Sequence, residues 1–202
     1  MDRNIPNVLT LLRLALIPIF VLVFYLPFNW THGATAVLFA LAAVTDWLDG
    51  YLARRLGQMS AFGAFLDPVA DKLMVAIALI LLVQSSHSVL FTLAAATIVG
   101  REIAISALRE WMAELGKRTK VAVSVVGKFK TTAQMIAIVL LLYREPIGSF
   151  PTRIVGLVGL YLAAGLTLWS MIVYLRAAWP SLMEHRRAQS ADGRPEQGPP
   201  AG

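Results

Sequence analysis

Long apolar segments dominate this sequence, and they restrict its fold more than any other feature. Six of them approach the roughly 20 residues that a helix needs to cross the hydrocarbon core of a membrane. Hydrophobic residues make up 57% of the 202 positions and charged residues only 15%, well below the roughly 25% typical of soluble domains. We therefore predict an all-α integral membrane protein with six transmembrane helices, covering approximately residues 8–28, 34–56, 60–83, 89–112, 122–142 and 153–175.

Basic residues are distributed unevenly between the segments that connect these helices. The turns at residues 30–33 and 84–88 contain no Lys or Arg, and only Arg144 and Arg153 fall on that side. The opposite side carries Arg3, Arg54, Arg55, Lys117, Arg118, Lys120, Lys128, Arg176, Arg186 and Arg187. The positive-inside rule therefore predicts that both termini are cytoplasmic. The formal net charge of +6 suits contact with anionic lipids or anionic substrates.

The two ends of the chain differ from the apolar segments between them. The residues after Pro180 are polar, rich in Pro and Gly and without periodicity, which is typical of disorder. We predict a six-helix transmembrane domain over residues 1–178 and a disordered polar tail over residues 179–202. Near the start, Arg13 interrupts the first apolar segment, which disfavours a cleaved signal peptide. The absence of cysteine excludes disulfides, thiolate nucleophiles and cysteine-based zinc sites.

Four aspartates interrupt the second and third apolar segments. Asp46 and Asp49 stand three residues apart, so they share one face of a helix. Gly63, Asp67 and Asp71 follow one another at intervals of four residues and also share a face. The connector between the two helices is short, which favours antiparallel neighbours whose aspartate faces oppose each other. An ionised side chain at membrane depth costs roughly 3 kcal/mol, so such residues indicate a function by default.

Four converging carboxylates would repel one another strongly. Divalent cations such as Mg²⁺ or Mn²⁺ would relieve this repulsion, because hard cations prefer oxygen ligands. Two such ions about 4 Å apart would also clamp a phosphoryl group during its transfer. Two other interpretations stay open at this point. A lone aspartate could form a buried ion pair with Arg54 or Lys72, and cation-coupled transporters also carry carboxylates inside the membrane.

The four aspartates belong to a longer pattern. It consists of Asp46-Trp47-Leu48-Asp49-Gly50-Tyr51-Leu52-Ala53-Arg54, eight residues, Gly63, three residues, Asp67, three residues and Asp71. With every fixed position filled, this pattern resembles the full signature of the CDP-alcohol phosphotransferase family. Residues 4–13, 101–111 and 127–132 are also similar to those bacterial members of the family that make phosphatidylglycerophosphate.

This resemblance implies a fold and a set of roles for the signature residues. The fold is the CDP-alcohol phosphotransferase fold of six membrane helices, usually a homodimer, with two divalent ions, Mg²⁺ or Mn²⁺, in a cavity facing the cytoplasm. The implied metal ligands are Asp46, Asp49 and Asp67, with some contact from Asp71, which is the implied general base. The implied CDP-binding residues are Asp49, Gly50, Ala53, Arg54 and Gly63, the small residues leaving room for the nucleotide.

The resemblance further implies transfer of a phosphatidyl group from CDP-diacylglycerol to sn-glycerol 3-phosphate, with release of CMP. The acceptor carries a phosphate dianion, for which Arg101 and Arg109 on one broad helix face are the candidate ligands. Lys128 and Lys130 point to different sides of their helix, and the resemblance favours Lys128. On the first helix, Asn7, Thr10 and Arg13 form a polar stripe. The stripe either faces the nucleotide, with Asn7 and Thr10 binding CDP, or merely caps and anchors the helix.

Three functions therefore compete. The first is phosphatidyl transfer to glycerol 3-phosphate at the bacterial cytoplasmic membrane, with membrane lipids as partners and no nucleic acid. The second is a sister transferase whose acceptor is an inositol phosphate, inositol or serine, because the signature specifies the donor more than the acceptor. The third is a cation-coupled transporter. The basic residues of helices four and five favour a phosphorylated acceptor, and the small residues beside the aspartates favour a nucleotide over an ion.

Overall fold

The structure is a computed structural model that describes residues 5–56, 61–114 and 125–192. Over these residues the chain forms six α-helices. They are α1 (Ile5–Tyr25), α2 (Thr31–Leu56), α3 (Ala61–Ser86), α4 (Val89–Glu114), α5 (Val125–Tyr143) and α6 (Thr152–Asp192). The all-α class is confirmed, and the ends of the predicted segments agree to within about three residues except at the end of α6.

Within the described ranges, three helices are long and apolar enough to cross a membrane. The segments that qualify are Val69–Ser86 in α3, Val89–Leu108 in α4 and Thr152–Val173 in α6. Shorter apolar segments cover Thr10–Tyr25 in α1 and Thr131–Tyr143 in α5. The second half of α2 is interrupted by aspartates and arginines, which lowers its apolar character. The chain is a multi-pass membrane protein, while six crossings and cytoplasmic termini stay predictions.

Apolar side chains cover both the inside and the outside of the helix bundle. The interior contains large side chains with almost no exposure, namely Phe20, Phe39, Leu79, Phe91, Ile98, Ile138, Leu142 and Leu160. On the outside, Leu22, Ile80, Leu93 and Leu162 are all well exposed. Soluble proteins rarely leave so much apolar surface open to water. Lipid tails are as apolar as leucine, so this surface matches a membrane environment.

The two helices that carry the aspartates are neighbours, as predicted. α2 contacts α1, α3 and α5, and α3 also contacts α1 and α4. α6 packs against α4 and α5. Because only residues 57–60 separate α2 from α3, the second half of α2 and the first half of α3 lie at the same end of the bundle. The packing thus places the aspartate segments beside one another.

The last helix extends beyond its predicted end. α6 continues to Asp192, so it includes residues 179–192, the first part of the tail for which disorder was predicted. That stretch contains good helix formers such as Leu182, Met183 and Glu184, which allow the helix to continue past Pro180. Helix therefore takes the place of the predicted disorder there. The division into a domain of residues 1–178 and a tail of residues 179–202 stays a prediction.

Small residues allow α5 and α6 to approach each other closely. A Cβ atom added at Gly156 would lie 2.9 Å from Leu141 Cγ and 3.2 Å from the Ala137 carbonyl oxygen. A Cβ atom added at Gly159 would lie 3.2 Å from the Ala137 Cβ. Both positions therefore have little room for a larger residue. Membrane helices associate through such surfaces because close packing, rather than exclusion of water, holds them together.

We expect Gly156→Ala to destabilise the protein by about 1–3 kcal/mol, since the added methyl group overpacks the contact between α5 and α6. Gly165→Ala on the same helix is the matched control, because a Cβ atom there would meet nothing within 4 Å. Thermal unfolding of both variants in detergent measures the difference. Equal melting temperatures for the two variants would contradict the tight contact at Gly156.

Candidate active site

A buried ion pair joins the first two helices. Arg13 Nη1 donates a hydrogen bond of 2.7 Å to Asp46 Oδ1. The Arg13 side chain is 1% exposed, whereas that of Asp46 is 39% exposed. Removing a cation from water costs free energy unless a nearby anion compensates the charge. Asp46 supplies that compensation for Arg13, and the pair connects α1 to α2.

The interior face of α1 brings Arg13 to this position. Thr10 and Arg13 stand three residues apart, so they lie on the same face, and Thr10 is 0% exposed. Leu22 on the same helix is instead exposed on the outside of the bundle. The described part of the polar stripe on α1 therefore faces the interior. The side chain of Asn7, the third member of the stripe, lies outside the described residues, and CDP binding by Asn7 and Thr10 stays a prediction.

Asp71 on α3 lies in the same region. It lines a small cavity together with Arg13, Phe39, Ala42, Ala43, Met74, Val75 and Met135. The walls of this cavity come from α1, α2, α3 and α5, so four helices meet around the two charged side chains. The charges of Asp46, Arg13, Glu102 and Lys72 all act on the Asp71 carboxylate. The structure therefore brings Asp46 and Asp71, two of the four predicted aspartates, into one electrostatic group.

Helix α4 extends this group on the side of α3. Lys72 Nζ donates a hydrogen bond to Ser106 Oγ, which links the two helices. Arg101 Nη1 donates a hydrogen bond of 2.5 Å to Glu102 Oε1, and the Arg101 side chain is 14% exposed. Its buried Nε has no hydrogen-bond partner in the part of the chain that the structure describes. Because an unsatisfied buried donor costs free energy, Arg101 has the capacity to bind a further anionic group.

The other predicted site residues lie on the same helices, but their side chains are outside the described residues. They are the candidate metal ligands Asp49 and Asp67, the candidate CDP-binding residues Gly50, Ala53, Arg54 and Gly63, and the candidate acceptor-binding residues Arg109 and Lys128. Helix geometry alone places Asp49 about one turn from Asp46 on α2 and Asp67 about one turn from Asp71 on α3.

The donor set at this end of the bundle fits a hard divalent cation. Asp46 and Asp71 offer carboxylate oxygens, the ligands that Mg²⁺ and Mn²⁺ prefer. No group of three His, Cys, Asp or Glu side chains with the spacing of a metal site occurs among the described residues. Further oxygens would come from Asp49 and Asp67, one turn away on the same two helices. Metal ligation by these four aspartates therefore stays a prediction that the chemistry of the donors supports.

Two ionisable residues of the site received no definite role from the sequence. Lys72 was predicted only as a candidate for an ion pair with an aspartate, and the structure hydrogen-bonds it to Ser106 and pairs Asp46 with Arg13. The side chain of Arg54, the other candidate for such a pair, lies outside the described residues. Glu102 was not assigned any role, although its charge acts on Asp71. The sequence did carry a signal for Lys72 and for Glu102, because an ionisable residue within an apolar helix indicates a function by default.

Comparisons with known proteins extend over nearly the whole chain. Residues 3–175 match the sequence model of a family described as CDP-alcohol phosphatidyltransferase. Three bacterial relatives share the name CDP-diacylglycerol–glycerol-3-phosphate 3-phosphatidyltransferase. The protein from Pseudomonas fluorescens is 58% identical, over 96% of this chain and 95% of its own. Those from Sodalis glossinidius and Escherichia coli K12 are 60% and 58% identical, over 92% and 91% of this chain and 100% of their own.

We expect Arg13→Gln to lower the stability of the metal-free protein by on the order of 2 kcal/mol, because glutamine cannot compensate the Asp46 charge. The loss stays below that for a fully buried pair, since water reaches Asp46 and screens its charge. Thermal unfolding in detergent with EDTA is the measurement, and Arg13→Lys should recover part of the stability. Arg176→Gln at an exposed position is the control, and an equal loss there would argue against a specific contribution of the pair.

Proposed function

Because the chain belongs to the CDP-alcohol phosphatidyltransferase family, we propose that it transfers the phosphatidyl group of CDP-diacylglycerol to sn-glycerol 3-phosphate. The products are phosphatidylglycerophosphate and CMP. The family membership confirms the resemblance predicted from the aspartate signature. The choice of acceptor is carried by one observation, namely that relatives 58–60% identical over nearly their full length bear the name of this activity.

In this proposal Asp71 is the general base. Its carboxylate accepts the proton of the 1-hydroxyl of glycerol 3-phosphate, and the alkoxide attacks the β-phosphorus of CDP-diacylglycerol. The bond from that phosphorus to the bridging oxygen of CMP breaks, and CMP leaves with the bonding electrons. The partial exposure of the Asp71 side chain supports this role, because a substrate hydroxyl must be able to reach the carboxylate.

The remaining aspartates serve the donor. Two divalent cations, Mg²⁺ or Mn²⁺, would neutralise the negative charge of the pyrophosphate when bound to Asp46, Asp49, Asp67 and Asp71. In the metal-free protein, Arg13 compensates the charge of Asp46 and so stabilises the acidic site. The CDP moiety would lie against Asn7, Thr10, Asp49, Gly50, Ala53, Arg54 and Gly63. Thr10 shares the interior face of α1 with Arg13.

The phosphate of the acceptor would bind to Arg101, Arg109 and Lys128. Arg101 is mostly buried, and its Nε lacks a hydrogen-bond partner in the described ranges, so a phosphate oxygen would satisfy it. The neighbouring Glu102 already occupies Nη1 of Arg101 and also acts on Asp71 through its charge. The acceptor site and the general base would therefore be electrostatically connected through α4.

We place the protein in the bacterial cytoplasmic membrane. The excess of Lys and Arg at the aspartate end of the bundle supports an orientation in which that end faces the cytoplasm. Assembly as a homodimer is part of the proposal, on the resemblance alone. A sister transferase is the weaker alternative. Serine and inositol carry no phosphate for Arg101, and an inositol phosphate is disfavoured because the names of the relatives specify glycerol 3-phosphate. A cation-coupled transporter is weaker still, since its ions would leave the small residues beside the aspartates unexplained.

The direct test is CMP release by the purified protein in detergent with CDP-diacylglycerol and Mg²⁺ or Mn²⁺. We expect release with glycerol 3-phosphate, little release with serine or inositol 1-phosphate, and none after chelation of the metal. Asp71→Asn is the matched variant, since the amide keeps the size of the side chain but cannot accept the proton. It should bind the donor yet lose most turnover.

Release only with serine or an inositol acceptor would retain the chemistry of the aspartates and discard the proposed acceptor. Folded protein that releases no CMP with any acceptor would instead favour transport. Near-normal turnover by Asp71→Asn would remove the general base from the mechanism without affecting the choice of substrate.

We expect Arg101→Ala to raise the KM for glycerol 3-phosphate at least tenfold, since a charge-assisted hydrogen bond contributes about 1.5–3 kcal/mol. The KM for CDP-diacylglycerol should stay within about twofold, because this arginine does not contact the donor in the proposal. Initial rates over a grid of both substrate concentrations separate the two constants, with exposed Arg176→Ala as control. Parallel increases in both constants would speak against a role specific to the acceptor.

A further inference from the structure

A second group of ionisable residues lies at the end of the bundle remote from Asp46. It consists of His32, Arg144, Glu145 and Arg153, and we name it the Arg144 cluster. His32 stands in the first turn of α2, fourteen residues before Asp46. At 1.5 Å per residue the two positions are about 20 Å apart along the helix. The Arg144 cluster is therefore separate from the aspartate site.

The Arg144 side chain is held in place by two other helices. Its Cζ lies 5.3 Å from the centroid of the Phe24 ring of α1, a cation–π contact. Its Nη1 lies 3.4 Å from His32 Nε2 of α2. The backbone of Arg144 has a φ of 62°, in the left-handed region that residues other than glycine seldom adopt. The contacts with Phe24 and His32 thus hold the guanidinium group of Arg144 in a defined place.

The electrostatics of the cluster leave positive charge uncompensated. Thr152 Oγ1 donates a hydrogen bond of 2.6 Å to the Glu145 carbonyl oxygen, so the chain neighbours of Arg153 and Arg144 are in direct contact. Burial and then the charge of Arg153 lower the pKa of Arg144. Arg153 stands in the first turn of α6, where the helix dipole disfavours a cation. Glu145 Oε1, which lies 3.9 Å from His32 Nδ1, offsets only one of the two positive charges. A further anion between the arginines would relieve the repulsion between Arg144 and Arg153 and the unfavourable interaction of Arg153 with the helix dipole.

The surroundings of the cluster match the membrane interface. The rings of Phe28 and Trp30 stack with centroids 6.0 Å apart, and both side chains are exposed. Ile147 and Phe150 in the loop between α5 and α6 are exposed as well. Exposed aromatic side chains are typical of the depth at which lipid headgroups meet the hydrocarbon core. Arginines at that depth are within reach of phospholipid phosphates.

We propose that Arg144 and Arg153 bind the phosphate of an anionic phospholipid headgroup, at the end of the bundle remote from Asp46. Guanidinium groups suit this ligand because their paired N–H donors match two phosphate oxygens. The acyl chains would lie on the exposed surface of Phe28, Trp30 and Phe150. The site also accounts for the presence of two arginines on the side of the membrane where basic residues are scarce. It does not depend on the activity proposed above.

The test is native mass spectrometry of the full chain in a non-ionic detergent with EDTA, titrated with dioctanoyl phosphatidic acid. We expect Arg153→Gln to weaken the apparent affinity about tenfold, as loss of one charged contact predicts. Arg144→Gln should have a similar effect, but it also removes the contact with Phe24. Arg153 is exposed, so Arg153→Gln carries the test without a risk to folding. Arg176→Gln, an exposed arginine far along the same helix, is the matched control and should leave the affinity unchanged.

Equal lipid affinity of the wild type and Arg153→Gln would overturn the proposal. An equal loss of lipid affinity in Arg176→Gln would also overturn it, because the lipid would then be attracted by positive charge in general. Competition by inorganic phosphate at the same concentration as the lipid would also overturn it, because the site would then recognise phosphate without the lipid. CMP release by Arg153→Gln in phosphatidylcholine micelles should equal that of the wild type. A loss of release in parallel with lipid affinity would place the bound lipid at the aspartate site instead.

Discussion

The ion pair between Arg13 and Asp46 compensates a buried charge inside an apolar helix bundle. α2 has an apolar first half and a second half interrupted by aspartates and arginines. The Arg13 side chain is almost fully buried in these surroundings and needs an anion, and Asp46 of α2 accepts its hydrogen bond at 2.7 Å. The pair therefore connects the two helices at the depth where the aspartates lie. The packing of α3 against both of them then brings Asp71 to the same place.

The site is assembled from several helices, and each contributes a different kind of group. α1 provides a cation, α2 and α3 provide carboxylates, and α4 provides Glu102 and Ser106 next to the α3 residues Asp71 and Lys72. Phosphatidyl transfer requires a base, compensation of pyrophosphate charge and a separate place for the acceptor phosphate. A bundle in which these groups come from neighbouring helices keeps them within one electrostatic region, with the cation of α1 opposite the carboxylate of α2.

Much of the helical architecture could be predicted from the sequence because membrane crossing imposes a minimum length on apolar segments. The same criterion accounts for the difference at the end of α6. Only the part of a helix inside the membrane has to be apolar. A helix that continues beyond the membrane surface therefore has no apolar segment to mark its end. Residues such as Leu182 and Glu184 sustain a helix outside an apolar segment, so a change in composition at Pro180 did not mark its end.

The sequence by itself determined the family, the helical class and the shared faces of the aspartates. Spacings of three and four residues have the same meaning in any α-helix, because 3.6 residues complete one turn. Tertiary structure alone decided that Arg13 pairs with Asp46, and that the charge of Glu102 acts on Asp71. It also brought Arg144 to Phe24 and His32. Such partners belong to different helices, and their distance depends on how each helix is rotated and tilted against its neighbours. That rotation is set by the packing of the whole bundle, and no local spacing in the sequence contains it.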